Sequence, residues 1–155
     1  VSQIIDLVLP EIPPDASVPY EGHAGEIITV GDDETTLIFD KKNWDLVCYV
    51  PGVPNADETL LKFKFSRDIT FNLNDWSDNQ AELDVATTAE YIVSFKKGAV
   101  EQFTLTFAAG QTSGTFSTPG ADVEFLQGEL LVVVSPAVPD ATAEGVSFSL
   151  NGKQD

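Results

Sequence analysis

Apolar and polar residues alternate along most of this chain. Leu61, Phe63 and Phe65 alternate with Lys62 and Lys64; Ile69, Phe71 and Leu73 alternate with Thr70 and Asn72; Phe103, Leu105 and Phe107 alternate with Thr104 and Thr106. A period of two sends successive side chains to opposite faces of an extended backbone, so each run predicts a half-buried β-strand. Tyr91, Val93 and Phe95 repeat the pattern, as do Val146, Phe148 and Leu150. The run from Leu130 to Ser135 is apolar on both faces, as a central strand would be.

Shorter β-rich runs fill the remaining text. Gly25 to Val30 and Thr35 to Phe39 flank Gly31-Asp32-Asp33-Glu34, a turn by composition. Leu46 to Val50 is stopped by Pro51-Gly52, and Thr115 to Ser117 is closed by Pro119-Gly120. Asn74 to Asn79 reads as a loop. Strands recur at roughly 8–12-residue spacing with turn signals between them, the pattern of a β-sandwich or barrel. No window carries a helical stripe, although Leu83 to Tyr91 has room for a short helical turn. The expected fold class is therefore all-β, an immunoglobulin-like or jelly-roll-like β-sandwich.

The first 25 residues differ. Ile4, Ile5, Leu7, Val8 and Leu9 form an apolar segment, followed by Pro10, Pro13, Pro14 and Pro19. Proline removes ladder donors and holds the backbone extended, so residues 1–25 are expected as a proline-rich N-terminal arm and residues 26–155 as a single sandwich domain. The arm would be held either by its own domain, as a first strand, or by a neighbouring chain. Ile4, Ile5, Leu7, Leu9, Pro13 and Pro14 are the candidate partner-binding residues.

The chain has 155 residues and is 43% hydrophobic, enough to bury a core. Its 25 acidic residues against 8 Lys and Arg give a net charge of −17, which repels phosphate backbones and anionic headgroups. Nucleic acid and membrane surfaces are disfavoured as partners; a basic protein surface, a cation or plain solubility is favoured. No apolar run approaches the roughly 18 residues of a membrane span. No basic segment followed by an apolar one opens the sequence as given, so synthesis in a cytoplasm is expected. Cys48 is the single cysteine and lies in an apolar run, which reads as a small core residue rather than a reactive thiol.

Catalytic text is sparse. The one histidine, His23, sits in the Gly-flanked stretch Glu21-Gly22-His23-Ala24-Gly25, with no packing to fix its ring for a nucleophile–base pair. One Cys and one His do not make a closed zinc shell, and no phosphate-binding glycine loop is present. Among chemical options calcium fits best. Asp32, Asp33 and Glu34 share one loop, and Asp75, Asp78 and Glu82 are expected to share another. Trp76, flanked by Asp75 and Asp78, is either a lid on the core or an exposed ligand contact.

Residues 86–135 carry a recognisable set of elements: Thr87-Thr88-Ala89-Glu90-Tyr91, then the strand and turn from Phe103 to Ser113, then Glu129 to Val134. This text resembles the Calx-β pattern. The resemblance implies an immunoglobulin-like sandwich of the kind found in adhesion and calcium-binding proteins. The chain departs from the pattern at the calcium site. Asp122 and Glu124, separated by Val123, stand where the family has an Asp-Asp pair, and Glu90 replaces an Asp.

Three functions compete on these observations. The first is a non-enzymatic structural subunit of a large symmetric assembly, most concretely a viral capsid decoration or minor virion protein, made in a host cytoplasm and homo-oligomeric. The second is a secreted, extracellular adhesion or carbohydrate-binding module, with calcium as its one candidate cofactor. The third, ranked last, is a small glycan-active enzyme, which only the carboxylate surplus permits.

Overall fold

The computed structural model describes the backbone of residues 26–30 and 37–41 and the chain in full from 42 to 154. The Pro-rich segment, His23 and the Asp32-Asp33-Glu34 loop lie outside the described residues.

Strands β1 (Glu26–Val30) and β2 (Leu37–Lys41) pair antiparallel as a separate two-stranded sheet, with Val30 opposite Leu37. The remaining strands form two antiparallel sheets. The first has the order β10 (Val123–Phe125), β5 (Ile69–Phe71), β12 (Val146–Gln154), β3 (Asn43–Val50). Strand β6 (Gln80–Glu82) also pairs with β12, on the side that β5 occupies further along. The second sheet has the order β4 (Thr59–Lys64), β11 (Leu130–Val134), β7 (Tyr91–Lys97), β8 (Val100–Phe107), β9 (Gly114–Phe116). The alternating runs named above are strands, save that the run from Ile69 stops at Phe71 and Leu73 opens a 3₁₀ helix; the apolar run of β11 lies between two partners, as its composition requires.

The inner faces of the two sheets meet through aromatic rings. Phe95 on β7 stands edge-on to Phe148 on β12, with centroids 5.1 Å apart. Phe65, just past β4, stacks on Phe125 of β10 at 4.6 Å. Each such ring contributes roughly 1.5–3 kcal/mol through burial alone. The close fit reaches the backbone at Gly152. A Cβ there would stand 2.9 Å from Cγ2 of Ile69, so only glycine lets β5 lie this near β12.

Two local expectations are corrected. Leu83 to Tyr91 holds no helix. Its backbone groups are taken by distant partners instead: Leu83 N donates to Thr112 O at 2.8 Å, Asp84 N to Glu144 O at 2.8 Å, and Gly110 N to Thr87 O at 2.7 Å. Segments 74–79, expected as loop, hold a 3₁₀ helix over Leu73–Asp78. Asn72 caps it, its side chain accepting from Asn74 N at 2.8 Å. The three-residue strands β6 and β10 are too short to show a period.

The sandwich has one closed and one open flank. On the closed flank a Glu82–Ser113 bridge and the Leu83–Thr112 hydrogen bond tie β6 to the segment before β9. On the other flank β3 and β4 are the terminal strands of their sheets among the described residues. They face each other there, with the Trp44 and Phe63 rings 5.6 Å apart.

Candidate functional site

The outer face of the first sheet is built by register. On β3, Trp44, Leu46, Cys48 and Val50 turn inward, which sends Val47 and Tyr49 outward, 73% and 57% exposed. Across the sheet, Tyr49 pairs with Ser147 and Ser147 with Glu82; Val47 pairs with Ser149 and Ser149 with Gln80. Two rows of three residues result, with small serines on the central strand between larger side chains. They floor and wall a shallow groove of about 420 Å³.

Tyr49 is held at one end of this groove. Its phenol donates to Oδ2 of Asp84 at 2.7 Å. That hydrogen bond, with some dehydration and the nearby charges of Asp84 and Glu144, raises the phenol's pKa above its ordinary value. Ser147 Oγ donates to the Glu82 carbonyl at 3.0 Å, so the groove floor is fixed as well. Cys48 lies beneath, half-buried, and burial pushes its thiol up, away from thiolate chemistry.

The structure separates the sequence candidates. Trp76 is the lid of the core: it is 7% exposed, stands edge-on to Phe103 at 4.9 Å and donates Nε1–H to Ser117 O at 3.1 Å. Its ring face is spent on packing, and the exposed ligand contact is withdrawn. Asp75 and Asp78 share the 3₁₀ helix, but Glu82 belongs to β6 and faces the groove. The common loop expected for these three does not form, and the described residues contain no group of three or more His, Cys, Asp or Glu able to hold a metal. Asp122 accepts from Leu73 N at 2.8 Å, anchoring the 3₁₀ helix, while Glu124 is an exposed strand residue. Ile4, Ile5, Leu7, Leu9, Pro13, Pro14, Asp32, Asp33 and Glu34 lie outside the described residues.

The most engaged carboxylate escaped the sequence reading. Asp140 is buried and accepts five hydrogen bonds: from Thr88 N and Oγ1, from Ala89 N, and from Thr142 N and Oγ1, at 2.5–3.1 Å. The Thr142 and Thr88 hydroxyls, then the backbone donors, hold its carboxyl well below the usual range. The spacing Asp140-Ala141-Thr142 is an Asx-type turn signal that pattern reading could have found. With every oxygen occupied, Asp140 joins two loops and has no free lone pair to offer a substrate. Ser135 plays a similar part, accepting from Glu58 N at 2.8 Å and donating to Asn55 O.

Two buried side-chain polar atoms have no hydrogen-bond partner among the described residues, Nδ2 of Asn79 and the hydroxyl of Tyr91. Burial, reinforced by the charge of Glu58, pushes the pKa of Tyr91 up to about 12. A neutral phenol enclosed by core residues is no acid or base at ordinary pH. No family model, no curated protein and no solved structure matches this chain.

Proposed function

We propose that the protein is a non-enzymatic structural subunit of a large symmetric assembly, most concretely a capsid decoration or minor virion protein, acting through protein–protein contact. One observation carries the reading: Asp140, Ser135 and Asp84 are committed to structure, whereas four of the eight exposed large hydrophobic residues among the described ones, Val47, Tyr49, Val53 and Val85, lie on β3 or in the segments that Tyr49 and Asp84 bring together. Asp140, Ser135 and Asp84 each hold a loop or a ring in place. Val47 and Tyr49 stand out from β3, and Val53 and Val85 are exposed in the segments that follow Tyr49 and Asp84. Apolar groups grouped on an otherwise acidic surface suit an interface. The immunoglobulin-like form of the sandwich belongs to the same proposal.

A second reading rests on the groove itself. A fixed Tyr49 ring beside Ser147, Ser149, Gln80 and Glu82 offers stacking and hydrogen bonds to a glycan, as an extracellular adhesion module would. Native mass spectrometry with calcium and then with chelator separates the two. A closed oligomer indifferent to chelator supports the assembly subunit; a monomer that gains mass in whole calcium ions supports the adhesion module.

A further inference from the structure

Building on the assembly reading, we propose that the open flank receives residues 3–9 of a second copy of this chain as an added strand on the free edge of β3. No described strand pairs with the outer edge of β3. Seven hydrophobic residues pack against the core while remaining only partly buried; Trp44, Cys48 and Val50 lie on β3, and Leu60, Leu61 and Phe63 lie on β4. Six of these seven described residues therefore belong to the two strands that bound the seam on this flank, where a strand beside β3 would add to their burial.

The other sheet ends are poor acceptors. Strands β9 and β10 have three residues each, too few for a stable added ladder. Strand β4 carries the exposed lysines Lys62 and Lys64, and charge on an edge opposes further pairing. Strand β3 runs for eight residues, carries no lysine, arginine or proline, and has Asp45 as its one charge.

Residues 3–9 have the matching chemistry. Ile5, Leu7 and Leu9 fall on one face of an extended segment, and Ile4, Asp6 and Val8 fall on the other. The first face suits the seam, and the second lies beside Val47 and Tyr49. Asp6 is the only charge in the segment, so it can approach a neighbour of net charge −17 with little repulsion. Pro10, Pro13 and Pro14 follow at once. Proline-rich text favours an extended backbone, the form in which a segment can reach a neighbouring copy. Backbone hydrogen bonds supply affinity and the alternate side chains supply register.

Cys48 provides the probe, since it faces the seam and is the single cysteine. Ile5→Cys, Leu7→Cys and Leu9→Cys are made one at a time in the full chain and oxidised mildly at alkaline pH. Mapping by mass spectrometry is expected to find a disulfide from Cys48 to at least one new cysteine in a covalent dimer, well above the collisional background set by wild type and by Ser113→Cys on the closed flank. Leu7→Asp is expected to convert the native oligomer to monomer. A disulfide within one chain would overturn the exchange in favour of a self-paired strand, and crosslinking no faster than background would overturn it outright. An oligomer that survives Leu7→Asp without crosslinks would reject the exchange yet leave the assembly reading standing, whereas a wild-type monomer would reject both.

Discussion

The Asp84 carboxylate occupies the place where a side chain on Gly145 would begin. An ideal Cβ on Gly145 would stand 2.0 Å from Oδ2 of Asp84, and Gly145 has φ +70°, a conformation that side chains rarely adopt. Asp84 is thereby positioned to receive the Tyr49 phenol from the sheet's outer face. Gly145→Ala is expected to lower stability by about 1–3 kcal/mol, through the clash and the left-handed backbone together. Denaturant unfolding monitored by fluorescence measures it. The same variant should free Tyr49, bringing one phenol's titration down toward the ordinary value.

Asp140 should contribute to the acid sensitivity of the fold. Its folded pKa is depressed, so its stabilising effect is complete above the unfolded carboxyl's pKa of 3.8 and is lost as the pH falls below it toward the folded pKa. Asp140→Asn loses the charge but keeps the shape. It should be less stable than wild type at pH 7, and the difference should shrink on acidification below about pH 4. Thermal melts across pH 2–7, about the range in which carboxylates titrate, check this; an unchanged gap throughout would show that charge has no part.

Tyr91 should contribute alkaline sensitivity, with the opposite sign. The folded phenol resists ionisation up to about pH 12, whereas the unfolded one ionises near 10. Stability should therefore fall as pH rises from 10 toward 12, by at most the slope of one proton. Because the hydroxyl has no partner among the described residues, Tyr91→Phe should be neutral to slightly stabilising at pH 7 and should flatten that alkaline decline.

Core and surface side chains should separate cleanly. Phe95 is fully buried and meets the rings of Phe103, Phe116 and Phe148. Phe95→Ala is expected to cost about 3–5 kcal/mol, and Trp76→Ala a comparable amount, as lost packing plus a cavity. Val47→Thr on the exposed face should change stability by about 0.5 kcal/mol or less. Urea titrations rank the three variants.

The sequence by itself determined the longer strands and their buried faces, though not the three-residue strands β6 and β10. In runs such as Phe103–Phe107 and Val146–Leu150, alternation is a local consequence of the pleat, and no distant residue has to be known to read it. Cys48 as an apolar packing residue and β11 as a two-sided strand were legible for the same reason. What tertiary structure alone decided depends on pairs far apart in the chain. Trp76 became a lid because Phe103 and Ser117 lie beneath it. Leu83 to Tyr91 lost its helical option because Thr112, Glu144 and Asp140 took its backbone donors. Glu82 left the Asp75 loop because β12 captured it as a strand. The groove and the open flank exist only through register, which places Val47 beside Ser149 and leaves β3 at the end of its sheet. Strand patterning is written within a few neighbouring residues, whereas a site is made by residues that only long-range pairing brings together.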